Sequence, residues 1–327
     1  MKLTVIVRSI VLAVVVALVV PLAAHAQAWP ARQPIKFVIA YPPGGASDVT
    51  ARILGVKLSA SLGQTVVIEN RPGANGIIAL EFVAKSAPDG YTILMANVGP
   101  NSINPVVYSK LPYDAIKDFQ PVTLTSQMPL VLVVTPSLPV KSVRDLIAYG
   151  QAHPGKLNFA SAGIGASNHL TGELFNRMAG IKMVHVPYKG DSPAMTDVMS
   201  GTVDVMFPTA IAAMGHVKSG RLHALAVTTS KRISSLPDVP TVAEGALPGF
   251  EAVAWGGVMV PAGTPPEIVN RLNAETNRAL KLPDVTEKLA SLGAEVIGTT
   301  PEEFATYLKG EIAKWGKVAR ENQVKLD

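Results

Sequence analysis

Cysteine is absent from the 327 residues. That excludes disulfides, thiol catalysis and cysteine-ligated metals. It also excludes the lipidated cysteine that tethers a bacterial lipoprotein. Other chemistries are excluded by missing patterns. A zinc site needs clustered ligands, but His153, His169, His185, His216 and His223 are scattered and form no H-E-x-x-H. The phosphate-binding G-x-x-x-x-G-K-[ST] does not occur. Gly163-Ile164-Gly165 starts like a dinucleotide fingerprint, yet the third glycine would fall at Asn168. No G-x-S-x-G elbow surrounds Ser161 or Ser167. Glu302-Glu303 sits in the first turn of a helical segment, where a dipole role suffices. No basic run or aromatic-basic stripe points to nucleic acid. These absences argue against an enzyme and leave no cofactor or metal to expect.

What is present begins with a targeting pattern. Lys2 and Arg8 precede a stretch without charge, Ser9–Ala24, which closes on Ala24-His25-Ala26. The apolar run is short for a membrane span and has the layout of a cleaved secretory signal. Residues 1–26 are therefore expected to be removed. The A-x-A site and Pro21 speak against an uncleaved anchor. The product is expected to be periplasmic and freely soluble. The formal charge is +5, from 29 basic and 24 acidic residues. Loss of Lys2 and Arg8 leaves 27 against 24, or +3, a mild bias toward small anions.

The 27 glycines and 26 prolines punctuate apolar runs, the pattern of many short connections in an α/β chain. Tyr41–Arg52, YPPGGASDVTAR, is the anchor stretch. Ile35–Ala40 reads as a buried strand, Pro42–Gly45 as a turn, Ser47 and Asp48 as cap types, and Val49–Leu62 as a helix. A helix N-terminus offers unpaired N–H groups and a positive dipole end, so a carboxylate or phosphate is the natural guest. The bland alternative is a well-capped turn that binds nothing. Asp48 is read as a cap and turn-former, Arg52 as a salt-bridge partner, and Tyr41 as a pocket wall or ordinary packing. The same grammar returns at Leu157–His169, followed by a helix over Leu170–Ala179. His169 is either a packing residue or a ligand contact. Asn97–Ser102 reads as a polar loop after the strand Tyr91–Ala96. Gln120–Thr125 or Pro129–Thr135, and later Phe250–Val260, are candidate crossings between two similar α/β lobes.

The segments YPPGGASDVTAR, VIENRPGANGIIA, KLNFASAGIGASNHLTGELF, HVPYKGDSPAMTDVMSGTVDVMF, LHALAVTTSKR and WGGVMVPAGTP together resemble the Bug family. These are extracytoplasmic solute-binding proteins associated with tripartite tricarboxylate transporters. The resemblance spans essentially the whole mature chain. It implies a two-lobed type II periplasmic-binding fold, each lobe a mostly parallel sheet flanked by helices, joined by two crossing strands. The expected boundaries are 27–124 plus 253–327 for the first lobe and 125–252 for the second. By resemblance, the ligand-binding residues of the first lobe are Tyr41, Pro43, Gly44, Gly45, Ala46, Ser47 and Asn97. Those of the second are Ser161, Gly163, Gly165, Ala166, Ser167 and His169, with Phe207, Pro208 and Thr209 at a strand end. The implied partners are a small organic carboxylate and the membrane components of the transporter, and the implied state is a monomer. A sensor presenting its ligand to a signalling partner shares the same pocket, and an exported hydrolase would need Ser161 or Ser167 as nucleophile. Many relatives carry an aspartate where this chain has Pro208. Its loss argues for a carboxylate without an amino group.

Overall fold

The computed structural model describes residues 29–291, 293–321 and 324, so the signal-peptide segment lies outside the described residues. In chain order the first half runs β1 (Ile35–Ile39), α1 (Ala46–Leu62), β2 (Val66–Asn70), α2 (Ile77–Ala84), β3 (Thr92–Asn97), a π-helical turn (Gly99–Ile103), α3 (Asn104–Val107) and β4 (Phe119–Pro129). There follow β5 (Val131–Val134), α4 (Val143–Ala152), β6 (Asn158–Ser161), α5 (Ser167–Ala179), β7 (Val184–Pro187), α6 (Asp191–Ser200), β8 (Val205–Met206), α7 (Ala210–Lys218) and β9 (His223–Val227). The chain closes with α8 (Val242–Gly245), β10 (Val253–Pro261), α9 (Pro266–Leu280), α10 (Pro283–Ser291), β11 (Glu295–Val296) and α11 (Pro301–Glu321).

The strands form two sheets. One is six-stranded in the order β11-β4-β10-β3-β1-β2, the other five-stranded in the order β7-β6-β8-β5-β9. β1 has Ile35, Phe37, Val38 and Ile39 fully buried, so both of its faces are covered. That is the signature of a strand inside an α/β sheet, where crossover helices occupy both sides. The parallel part is narrower than the sequence led one to expect. β2, β1 and β3 run parallel, as do β7, β6 and β8. The crossing strands β4 and β10 pair antiparallel with each other, and β10 pairs antiparallel with β3. A chain that leaves one sheet and returns must run back along its outgoing strand, which explains the mixture.

The two sheets meet where β4 runs into β5 and β9 returns toward β10. β4 carries the first sheet to Pro129, five residues past the boundary at 124, because Gln127–Pro129 pair with Val253–Trp255. At the join, Thr228 Oγ1 lies 2.6 Å from the Ala252 carbonyl and accepts the Leu130 N–H at 3.0 Å. The Thr228 N–H donates to Leu130 O, and the Ala252 N–H to Thr228 O. One buried threonine thus ties both crossing segments. Thr228→Val keeps the shape but leaves the buried Leu130 N–H unpaired. It should cost about 1–3 kcal/mol in urea unfolding.

Two helices begin earlier than their residue types indicated. α1 starts at Ala46 and α5 at Ser167, with Gly45 and Ala166 at the cap positions and no side-chain cap on either. Ser47 and Asp48 are therefore first-turn residues. Of the stretch Asn97–Ser102, Asn97 ends β3 and Val98–Ser102 is helical rather than a loop. Asn101 Oδ1 accepts the Asn97 N–H at 3.0 Å, which curls the chain into the wide π turn as soon as β3 ends.

Candidate functional site

A cavity of about 50 Å3 lies between the sheets, at the C-terminal ends of β1, β3 and β6. Such strand ends are where open α/β sheets take their ligands. Four helix N-termini reach it: α1 through Ala46 and Ser47, α5 through Ser167 and Asn168, α6 through Asp191, and α7 through its cap residue Thr209. None of the four has a side-chain cap. Their first-turn N–H groups are not used inside the helices, so the positive dipole ends converge on one volume. No lysine or arginine is among the described residues that line it.

The first loop is held from behind. Gly44, at φ +89°, donates its N–H to Asp48 Oδ2 at 3.0 Å. Asp48 pairs with Arg52 at 2.9 Å and accepts Asn70 Nδ2 at 3.0 Å. Burial acts to raise the Asp48 pKa, but Arg52, the Gly44 N–H and Asn70 outweigh it and hold the carboxyl below its ordinary value. Asp48 and Arg52 are thus a local brace within one lobe. On the cavity side, Ser47 Oγ accepts Asn97 Nδ2 at 2.8 Å, which leaves the Ser47 hydroxyl proton free for a guest. Among the described residues, Asn97 Oδ1 and Thr209 Oγ1 are buried without a hydrogen-bond partner. Tyr41 walls the cavity and donates its hydroxyl to Asn75 Oδ1 at 2.8 Å. A Cβ on Gly99 would stand 2.8 Å from that hydroxyl, so glycine is needed there. On the far side of Tyr41 a second cavity of about 270 Å3 shares Tyr41 and Ala162 with the first.

The second loop is braced in the same manner. Ser161 Oγ bonds the Gly163 backbone and lies 2.6 Å from His185 Nε2. His169 Nδ1 accepts the Gly165 N–H at 3.1 Å. Its ring stacks on His185, with centroids 3.9 Å apart, and Phe159 continues the stack. Burial pushes the His169 pKa down to about 3 and that of His185 to about 4. Both rings are neutral structural parts. Asn168 closes the loop, with Oδ1 accepting the Ala162 N–H and Nδ2 donating to Asp191 Oδ1 at 2.8 Å.

Of the residues expected at the site, Tyr41, Gly45, Ala46 and Ser47 line the cavity. So do Asn97, Ala166, Ser167 and Thr209. The others do not line it. Ser161, Gly163, Gly165 and His169 shape the second loop from behind. Phe207 is fully buried and packs on Phe175, and the Pro208 carbonyl accepts the Val131 N–H. Pro43 and Gly44 meet the other lobe at the rim, where Ser192 Oγ donates to Pro43 O at 3.0 Å. Sequence reasoning missed Met128 and Trp255 on the crossing strands, Asn168, and above all Asp191. Trp255 is held by Glu311, which accepts both Trp255 Nε1 at 3.2 Å and Trp315 Nε1 at 2.9 Å. Pro208 does not leave the cavity free of acid, because Asp191 enters it from another helix.

Comparison with known proteins follows the same lines. Residues 50–324 match the family model described as the tripartite tricarboxylate transporter family receptor. The chain is 40% identical to Protein BugT of Bordetella pertussis over 302 residues, covering 92% of each. The structure of R. palustris Rpa4515 with adipate superposes with a TM-score of 0.89 at 39% identity, over 91% of this chain and 99% of that one. MatC (Rpa3494) from Rhodopseudomonas palustris with bound malate gives 0.84 at 35% identity, over 88% and 99%.

Proposed function

This chain belongs to the family of tripartite tricarboxylate transporter receptors, and from that premise we propose that it is a periplasmic receptor that captures a small carboxylate between its lobes and hands it to the membrane components of such a transporter. The observation that carries the reading is the convergence of four uncapped helix N-termini on one cavity that no lysine or arginine lines. A carboxylate held there accepts from main-chain N–H groups and from the hydroxyls of Ser47, Ser167 and Thr209. The positive dipole ends then supply what an arginine would otherwise supply. The adipate and malate bound to the two structural relatives are small carboxylates of this class. Closure is a hinge motion at Leu130, Thr228 and Ala252, and the closed face is what the membrane partner recognises.

The protein binds and does not turn over its ligand. Ser161 is fully buried, and its histidine neighbour is locked in an aromatic stack. Ser167 sits in a helix first turn on the cavity wall, where its hydroxyl serves as a donor.

The test is thermal unfolding of residues 27–327 with dicarboxylates, aromatic acids, amino acids and matching amides. A ligand at about 100 times its dissociation constant adds roughly 2.7 kcal/mol. Stabilisation by an acid but not by its amide is the expected result. Ser47→Ala with Ser167→Ala should weaken that acid's binding by about 100-fold or more, for two lost hydrogen bonds to a charged group. No stabilisation by any carboxylate would overturn the reading, as would hydrolytic turnover that is lost in Ser161→Ala.

A further inference from the structure

Asp191 is the first residue of α6 and stands half-buried on the cavity wall. One carboxylate oxygen accepts Asn168 Nδ2 at 2.8 Å. Among the described residues, the other oxygen accepts no hydrogen bond. A guest carboxylate confined to the same 50 Å3 must lie beside this acid. Two carboxylates in contact cannot both stay ionised. Asn168 is already committed to Asp191 and, among the described residues, no lysine or arginine lines the cavity, so the pair has one simple way to coexist, which is to share a proton.

On the reading that the site holds a carboxylate, we propose that Asp191 takes up one proton from solvent as the cleft closes and donates it in a hydrogen bond to the ligand, so that the receptor captures a carboxylate together with a proton. One proton enters per ligand and none leaves the protein.

The surroundings favour this. Across the cleft Asp191 faces Tyr41, which burial keeps neutral and whose hydroxyl is donated to Asn75. α5 brings the uncharged Asn168 and, behind the loop, neutral His169. Helix α6 packs on β6, β8 and α7; β6 and β8 carry no charged residue, and on α7 the basic His216 and Lys218 stand in the last turn, at the opposite end from Thr209 on the cavity. On its own segment, Lys189 is exposed, and Asp197 accepts the Tyr188 hydroxyl further along the helix. Among the described residues, no lysine or arginine lines the cavity beside the carboxylate. Desolvation in the closed cleft pushes the free Asp191 carboxyl up to about 6, within reach of protons near neutral pH.

The sign follows from linkage. Ligand raises the proton affinity of Asp191, so protons raise the affinity for ligand. Affinity should be flat well below pH 6 and fall about tenfold per pH unit well above it, or about 30-fold from the acid plateau to pH 7.5. The experiment is titration calorimetry with adipate and with malate from pH 5.5 to 8, in two buffers of different ionisation heat. Wild type should take up about one proton per ligand at pH 7.5. Asp191→Asn keeps the bond to Asn168 and should take up none, and at pH 7.5 it should bind about 30-fold tighter than wild type. Binding with no proton uptake and no pH slope would overturn this proposal and leave the receptor reading standing. Loss of binding in Asp191→Asn at every pH would also overturn it, because it would mean that the ionised acid meets a cationic group of the ligand. If neither acid nor any other carboxylate binds wild type at pH 5.5, the receptor reading fails and this proposal with it.

Discussion

Gly190→Ala is expected to abolish tight ligand binding while leaving a folded protein. Gly190 precedes α6 in the second lobe at φ +138°, a region that side chains rarely enter. A Cβ there would stand 2.5 Å from Pro42 Cδ and 2.8 Å from Pro42 Cγ, across the cleft in the first loop. The proline ring is rigid and cannot yield, so the lobes must stay apart by more than the overlap. The helix ends of the two lobes then no longer share one guest. The loss should be about 100-fold or more in affinity, since an open cleft forfeits the contacts of one whole jaw. Ser192→Ala is the graded companion. It removes only the hydrogen bond to Pro43 O and should cost about fivefold. The measurements are calorimetry with a carboxylate that stabilises wild type, and small-angle scattering with and without it. Wild type should contract on binding and Gly190→Ala should not. Affinity within threefold of wild type in Gly190→Ala would show that the rim contact does not limit closure.

The rim also shows what a sequence can and cannot disclose. The strand, glycine turn and helix at Tyr41–Ser47 and at Ser161–Ser167 were legible because proline and glycine act locally. The cap reading of Ser47 and Asp48 failed for a reason that residue preference does not carry. Asp48 serves the Gly44 N–H and Arg52 from inside the first turn, so the cap position itself stays open for a guest. His169, just inside a helix start, read as either a packing residue or a ligand contact, and the resemblance favoured the second. Its true partners, His185 and Phe159, lie on neighbouring strands and share no local pattern with it. Asp191 had a local sign, an acid directly after a glycine at a helix start, but nothing in the sequence placed that start against Tyr41. Met128 and Trp255 reach the cavity because crossing strands pass beneath it. That is a fact of topology, visible only once the sheets are assembled. Pro208 was weighed as the missing acid, yet a position thought to need an acid can be served from a different helix.

The same buried histidines give a large effect of acid on stability. His169 and His185 have folded pKa values pushed down to about 3 and about 4 by burial, against an ordinary 6.5. The unfolded chain takes up their protons as pH falls through 6.5, while the folded chain waits until 4 or below. Their contribution is therefore complete above pH 6.5 and is lost as pH falls, by about 1.4 kcal/mol per pH unit for each ring. Asp191 works in the opposite sense, because its raised pKa lets the folded state bind a proton before the unfolded state does. Glu173, 3.8 Å from His169 Nε2, is also raised by burial and adds to that opposition. The net slope of wild type is thus a difference between opposed terms, and a variant comparison isolates the histidine part. His185→Phe continues the stack with Phe159 and removes one titrating ring, while Ser161 keeps its bonds to the Gly163 backbone. Whatever constant offset the change carries at pH 7.5, the variant should gain on wild type by about 2 kcal/mol between pH 6.5 and 4.5. Urea unfolding at four pH values measures this directly. Parallel stability profiles for the two proteins would mean that the His185 ring is hydrated and titrates normally in the folded state.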